Sequence, residues 1–244
     1  MSTSDTYLND TTKFGRSEQT KKDNNCVKKV KKRDEMTKIK FCGLTDITDI
    51  LAVNELRAEY VGFVFWQKSK RFVSKEKASE LKKALLPEIK AVGVFVDEAP
   101  EIIADLLADG VIDIVQLHGK ENDEYIATLR ELCKVDLPAP LIIKAFVIKE
   151  ERDIEKAMKC SADYLLLDSG KGTGQTFNWE LIKSAKFNKP FFLAGGLDPL
   201  NVEKAVRCLQ PFAVDVSSGI ETNGKKDPQK MKQFAKKVNQ IFGR

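Results

Sequence analysis

From Lys38 onward, eight short apolar runs alternate with stretches of helical periodicity, and this alternation constrains the fold more than any other feature. The runs are Ile39–Cys42, Tyr60–Phe65, Ala91–Val96, Ile112–His118, Leu141–Val147, Tyr164–Asp168, Phe191–Ala194 and Ala213–Ser217. They are short, mainly apolar runs rather than alternating ones, as expected of parallel strands whose outer face is covered. Helical patterns fill the gaps. Ile102, Ile103, Leu106 and Leu107 follow Pro100 and stop at Gly110, and Asp227-Pro228 opens a last helix with Met231, Phe234, Ala235 and Val238 on one face. Eight such units predict an α/β fold, a (β/α)8 TIM barrel over residues 37–244. An open doubly wound sheet is the alternative, and it lacks the GxGxxG expected after its first strand.

Residues 1–36 read differently. They carry nine Lys/Arg against six Asp/Glu, have almost no apolar periodicity, and end in the basic run Lys28-Lys29-Val30-Lys31-Lys32-Arg33. Such a stretch buries too little surface to offset its ordering entropy, so a disordered polar and basic extension is expected. The basic run reads as a solvated linker or as a weak RNA, membrane-surface or targeting contact. With a net charge of +5 over 244 residues, the chain as a whole calls for neither a nucleic-acid nor a membrane partner. Five widely spaced cysteines without a CxxC pair suit reduced thiols and a cytoplasmic location better than disulfides or zinc.

Two segments near the C-terminus carry chemistry. Phe191–Pro199 and Phe212–Glu221 each run from a short apolar strand into small residues. Gly195, Gly196 and Gly219 lack a Cβ, so backbone N–H groups there can approach an anion closely, and Ser217 and Ser218 stand beside them. Asp198, with Pro199 after it, is expected to cap the following helix. Two adjacent strands ending this way describe the phosphate site of a barrel at its seventh and eighth strands, so a phosphorylated small molecule is the expected substrate. Barrel chemistry sits at the C-terminal ends of the strands. Those ends supply Cys42, then Arg71 in the loop after strand two, Asp97, Gln116 with His118, Lys144, Asp168 and the two cradles.

Lys40–Thr45, Gly62–Phe65 with Lys68–Arg71, Val115–Gly119, Leu166–Asp168 with Gly172–Trp179, and both cradles together resemble phosphoribosylanthranilate isomerase of tryptophan biosynthesis. The resemblance runs from residue 38 to 244 and implies an Amadori rearrangement of an aminoaldose to an aminoketose. It places the general base at Cys42 and the general acid at Asp168. It gives Arg71 the anthranilate carboxylate, a bidentate task that suits a guanidinium. A thiol is only a few per cent thiolate at neutral pH unless a positive charge lies near it, and an aspartate serving as acid must be held protonated. Gln116, His118 and Asp215 are expected around the pocket, His118 in a structural role. Gly172 and Gly174 are expected in a loop over the phosphate. The family implies no metal or cofactor. Monomer and homodimer, and association with other tryptophan-pathway enzymes, stay open.

Two other readings remain. The histidine-pathway aminoaldose isomerase shares the reaction type, but a second phosphate cradle and an aspartate at position 42 would be expected. A non-catalytic phosphate-binding barrel with a basic tail would not need Cys42, Arg71 and Asp168 together.

Overall fold

The computed structural model describes residues 36–134, 138–168 and 179–243. The expected extension therefore lies outside the described residues, save for Met36 at its end.

Eight parallel strands close into a barrel, each followed by a helix. The order is β1 (Lys38–Cys42), α1 (Ile47–Leu56), β2 (Tyr60–Val64), α2 (Lys75–Lys83), β3 (Lys90–Phe95), α3 (Pro100–Ala108), β4 (Ile114–Leu117) and α4 (Asp123–Cys133). Then come β5 (Ile142–Val147), α5 (Glu151–Lys159), β6 (Tyr164–Asp168), α6 (Trp179–Ser184), β7 (Phe191–Ala194), α7 (Val202–Leu209) and β8 (Ala213–Val216). A two-stranded hairpin, β9 (Glu221–Thr222) and β10 (Lys225–Lys226), precedes the last helix, α8 (Pro228–Gln240). Each barrel strand falls within two residues of its expected span.

Closure is made by β1 against β8, in parallel register from Lys38 opposite Ala213 to Phe41 opposite Val216. The chain is already tied there at its first described residues: Thr37 Oγ1 donates to the Pro211 carbonyl at 2.8 Å, and the Lys38 N–H to Phe212 O at 2.9 Å. Because side chains alternate along a strand, odd and even residues face opposite sides. Ile39, Phe41, Val61, Phe63, Val214 and Val216 pack outward beneath the helices in the main core. Tyr60, Val92, Ile114, Ile143, Leu166 and Phe192 form a separate cluster inside the barrel.

The lower interior is an aromatic plug. Phe192 meets Tyr60, Tyr164 and Phe212 at centroid distances of 5.4, 5.8 and 5.6 Å, and the Lys38 ammonium lies 4.4 Å from the Phe212 centroid. Edge-on pairs of this kind add to plain area burial. Burial pushes the Tyr60 phenol up to about 12.

Helix starts follow the expected chemistry with one exception. Asp46 and Asp49 form a capping box on α1, and Asp227 caps α8 ahead of Pro228. Asp198 does not cap α7. Its carboxylate accepts the N–H groups of Leu200 and Asn201 at 2.7 and 3.0 Å, closing a turn, and α7 begins only at Val202. A short side chain after a glycine pair satisfies the nearest N–H groups, and those belong to the turn.

Phe192→Ala removes the centre of the plug and should lower stability by about 3–5 kcal/mol, read from the denaturant midpoint. A loss under about 1 kcal/mol would show that the lower barrel collapses around the gap.

Candidate active site

Period-two alternation delivers the functional side chains to the barrel mouth. Lys40 and Cys42 face inward from β1, Gln116 and His118 from β4, Leu166 and Asp168 from β6, and Asp215 and Ser217 from β8. Lys144, between inward-facing Ile143 and Ala145, faces the other way and is not a mouth residue. Its ammonium binds Glu121 and the Gly119 carbonyl, both at 2.8 Å, and Glu121 also accepts the N–H groups of Asp97 and Gly119. That buried pair laces the loops after β3 and β4 together. Lys144 is thus a buried counter-ion of Glu121, and its expected placement at the catalytic face does not hold.

Cys42 lies opposite Gly62 in the β1–β2 ladder. A Cβ at Gly62 would stand 2.7 Å from Cys42 Sγ and 3.1 Å from Lys40 Nζ, so the thiol and the ammonium share the space this glycine leaves open. Lys40 is completely buried and donates to Asp215 Oδ1 at 3.0 Å. Those two residues face each other directly across the β1–β8 seam. Burial disfavours the lysine's charge, but Asp215 and the Cys42 sulfur outweigh it, and its pKa lies above the ordinary value. Burial pushes the Cys42 thiol up. Lys40 pulls it back, Asp215 pushes again, Lys226 pulls, and the balance stays upward.

Asp168 ends β6 on the far side of the mouth. His118 Nε2 lies 3.9 Å from Asp168 Oδ2. Burial lowers the His118 pKa against the pull of Asp168 and Asp215, so the imidazole is neutral at physiological pH and the contact is polar rather than ionic. His118 Nδ1 pairs with Gln116 Nε2 at 3.0 Å. Which ring nitrogen of His118 carries the proton is set by which way the Gln116 amide is turned. Gln116 is buried, and its Oε1 has no partner among the described residues.

Arg71 crosses Gly43, where a Cβ would lie 2.4 Å from Arg71 Cδ; Gly43 has φ +75°, so glycine suits both the turn and the crossing. Arg71 Nε and Nη2 donate to the two oxygens of Glu221 at 2.6 and 2.8 Å. This side-on pair occupies Nε and one Nη2 proton and leaves the Nη1 edge to meet a second carboxylate. Glu221 is shared with Lys226 at 2.7 Å, and Lys226 also donates to Ser217 O and Oγ at 3.0 and 3.2 Å. Burial lowers the Lys226 pKa against the pull of Glu221, while Arg71 and Lys226 hold the Glu221 carboxyl below its usual range despite burial.

The cradles lie beside one another. Gly195 and Gly196 take φ of +90° and +64° at the end of β7. Ser218–Ile220 form one 3-10 turn after β8. A Cβ at Gly219 would fall 1.9 Å from Leu197 O, so only glycine lets the two loops pack this closely. Gly172 and Gly174 lie outside the described residues. Among the described residues, no group of three or more His, Cys, Asp or Glu is placed to hold a metal ion, and no helix is long and apolar enough to cross a membrane.

Sequence reasoning assigned no role to Lys40, Gly62 or Lys226, and none to Glu221 beyond ending a cradle. Strand parity was the available signal for Lys40, two residues before Cys42. The Asn223-Gly224 dipeptide, which favours the two positive φ angles of a tight turn, was the signal for the hairpin that carries Glu221 and Lys226.

A closed (β/α)8 barrel with glycine turns after its last two strands, and a thiol and a carboxyl across its mouth, has the layout of a barrel enzyme that works at its strand C-termini. Comparison narrows the class. Residues 39–237 match the family model for N-(5′phosphoribosyl)anthranilate (PRA) isomerase, and the chain belongs to that family. It is 43% identical over 211 residues to N-(5′-phosphoribosyl)anthranilate isomerase of Thermoanaerobacter sp. (strain X514), covering 84% of this chain and 100% of that one. The Clostridium acetobutylicum isomerase is 44% identical over 213 residues, with the same coverage. The crystal structure of phosphoribosyl anthranilate isomerase from Thermotoga maritima superposes with a TM-score of 0.76 at 40% identity, covering 84% of this chain and 100% of that one. A structure of the isomerase in complex with reduced 1-(o-carboxyphenylamino)-1-deoxyribulose 5-phosphate has a TM-score of 0.74 at 40% identity and the same coverage.

Gly219→Ala should abolish weak binding of inorganic phosphate, measured by calorimetry, because its methyl group forces the two loops apart. Phosphate affinity equal to that of the unsubstituted chain would place the anion elsewhere.

Proposed function

We propose that this isomerase converts N-(5′-phosphoribosyl)anthranilate to 1-(2-carboxyphenylamino)-1-deoxyribulose 5-phosphate with Cys42 as general base and Asp168 as general acid. One observation supports the assignment most: thiol and carboxyl stand on different walls of one mouth, with a guanidinium and a glycine cradle beside them. A substrate with a carboxylate at one end and a phosphate at the other fits that layout.

Asp168 protonates the ring oxygen, the C1′–O bond breaks, and the anilino nitrogen's lone pair forms the C1′ iminium. The Cys42 thiolate then takes the C2′ proton, and the C2′–H electrons neutralise the iminium to give an enolamine. Proton return to C1′ and loss of the C2′ hydroxyl proton yield the ketone. The iminium is itself a cation close to Cys42, so the thiolate is favoured most when it is needed. Arg71 holds the carboxylate, Glu221 holds Arg71, and the N–H groups around Gly195, Gly196, Ser218 and Gly219 hold the phosphate. The neutral His118, beside Asp168, orients that carboxyl rather than acting as base. Residues 1–35 have no part in the reaction.

Loss of substrate fluorescence follows turnover. Cys42→Ser should lower kcat by at least about a thousandfold, since a hydroxyl is far too weak a base at neutral pH. Asp168→Asn should lower kcat by at least about a hundredfold, with both proteins folded. Near-normal turnover in either variant would overturn its residue's role. Arg71→Ala should mainly raise KM, about tenfold or more for a lost charged hydrogen bond, and Glu221→Gln should raise it less. An unchanged KM in Arg71→Ala would take the carboxylate away from Arg71. A chain starting at Met36 should keep its kcat/KM and melting temperature; a large loss would give the N-terminal segment a function.

A further inference from the structure

Cys42 is an awkward base. A buried thiol resists ionisation, and the iminium that would favour the thiolate exists only after the ring has opened. A charge present before the substrate arrives would relieve this, and the barrel interior holds one. Lys40 is two residues before Cys42 on the same strand, so both side chains enter the lumen. Its ammonium is wholly enclosed, and both it and the sulfur lie within 3.1 Å of the Cβ position that Gly62 leaves empty.

We infer that Lys40 is a positioning residue for the base: its buried ammonium, clamped to Asp215 across the β1–β8 seam, is the standing counter-charge of the Cys42 thiolate. The inference rests on Cys42 being the base. Asp215 keeps the ammonium protonated where burial would otherwise strip it. The same carboxylate opposes the thiolate, so the arrangement works only because the ammonium is the stronger influence on sulfur. Gly62 is the third part. Any side chain there would push sulfur and ammonium aside. The other charges facing Cys42 are Lys226 from β10 and Arg71 from the loop after β2, while His118 from β4 faces Lys40 and Asp215 and is neutral. Lys226 and Arg71 are both committed to Glu221, whose carboxylate offsets part of their field. Lys40 is the cation whose counter-ion lies below the site rather than at its rim.

The test reads the thiol directly in the full-length, substrate-free chain. Iodoacetamide alkylation of Cys42, quantified on its peptide by mass spectrometry, gives a rate–pH midpoint for the thiolate. Lys40→Met should raise that midpoint by at least about one pH unit, a tenfold loss of thiolate at neutral pH. Its kcat/KM should fall by a similar factor at neutral pH and recover as pH rises, with KM little changed. The lone Asp215 left in that variant is a folding hazard, so Lys40→Met with Asp215→Asn, which removes both charges and keeps both shapes, supplies a second arm. That double variant should have a midpoint between those of the unsubstituted chain and the single variant. A double-variant midpoint at or below the unsubstituted value would show that Lys40 only neutralises Asp215, and would overturn the inference. So would an unshifted midpoint in a folded Lys40→Met. Either result leaves the assignment of Cys42 as base intact, because that assignment stands or falls with the turnover of Cys42→Ser.

Discussion

The ladder between β1 and β8 is the contact on which the site depends. It closes the barrel, and in doing so brings the first strand, which carries Cys42, beside the last, which carries the second of the proposed phosphate cradles. The register of this seam is what sets Lys40 directly against Asp215. A slip by one residue would turn Lys40 and Cys42 out beneath the helices and bring Ile39 and Phe41 into the lumen. The apolar content of the outward face therefore fixes the register, and the register fixes the chemistry. The aromatic plug below and the helices outside hold the seam in place, and α8 also reaches the site's rim, where Lys230 donates to the Glu221 carbonyl at 2.6 Å.

Above the seam, charges are arranged in two tiers. The lower tier is Lys40 with Asp215, enclosed and neutral as a pair. The upper tier runs from Arg71 through Glu221 and Lys226 to Ser217 and ties the proposed carboxylate end of the site to the phosphate end. A buried charge without a partner is costly, so each cation is held by a carboxylate and, for Lys226, by Ser217 oxygens as well. Cys42 lies between the tiers, with a cation on either side and an anion beyond each. Its ionisation is therefore sensitive to any charge that a ligand brings in, and the proposed iminium is such a charge.

Much of this was legible in the chain itself. Short apolar strands, caps such as Asp227-Pro228 and the two glycine-bearing turns led to the barrel and to its proposed phosphate end. Cys42 and Asp168 drew attention because each terminates a strand, and the family resemblance supplied their proposed roles. Pairings between distant residues were not legible. Lys40 and Asp215 are 175 positions apart, and Arg71 and Glu221 are 150 apart, so nothing in the chain joins either pair until closure brings the partners together. Lys144 was misplaced because a strand's inward face cannot be assigned from an apolar run that lacks alternation. Asp198 was misjudged because a cap and a turn use the same side-chain chemistry at adjacent positions, and only backbone geometry separates them.

The most direct test is a crystal structure of this chain with the reduced, unreactive product analogue bound. The account predicts the phosphate on the backbone N–H groups around Gly195, Gly196 and Gly219. It also predicts the carboxylate on the outer edge of Arg71, and the C1′–C2′ bond between Cys42 Sγ and the Asp168 carboxyl. A ligand lying with its reacting carbons away from Cys42, or with its carboxylate held by a group other than Arg71, would contradict it.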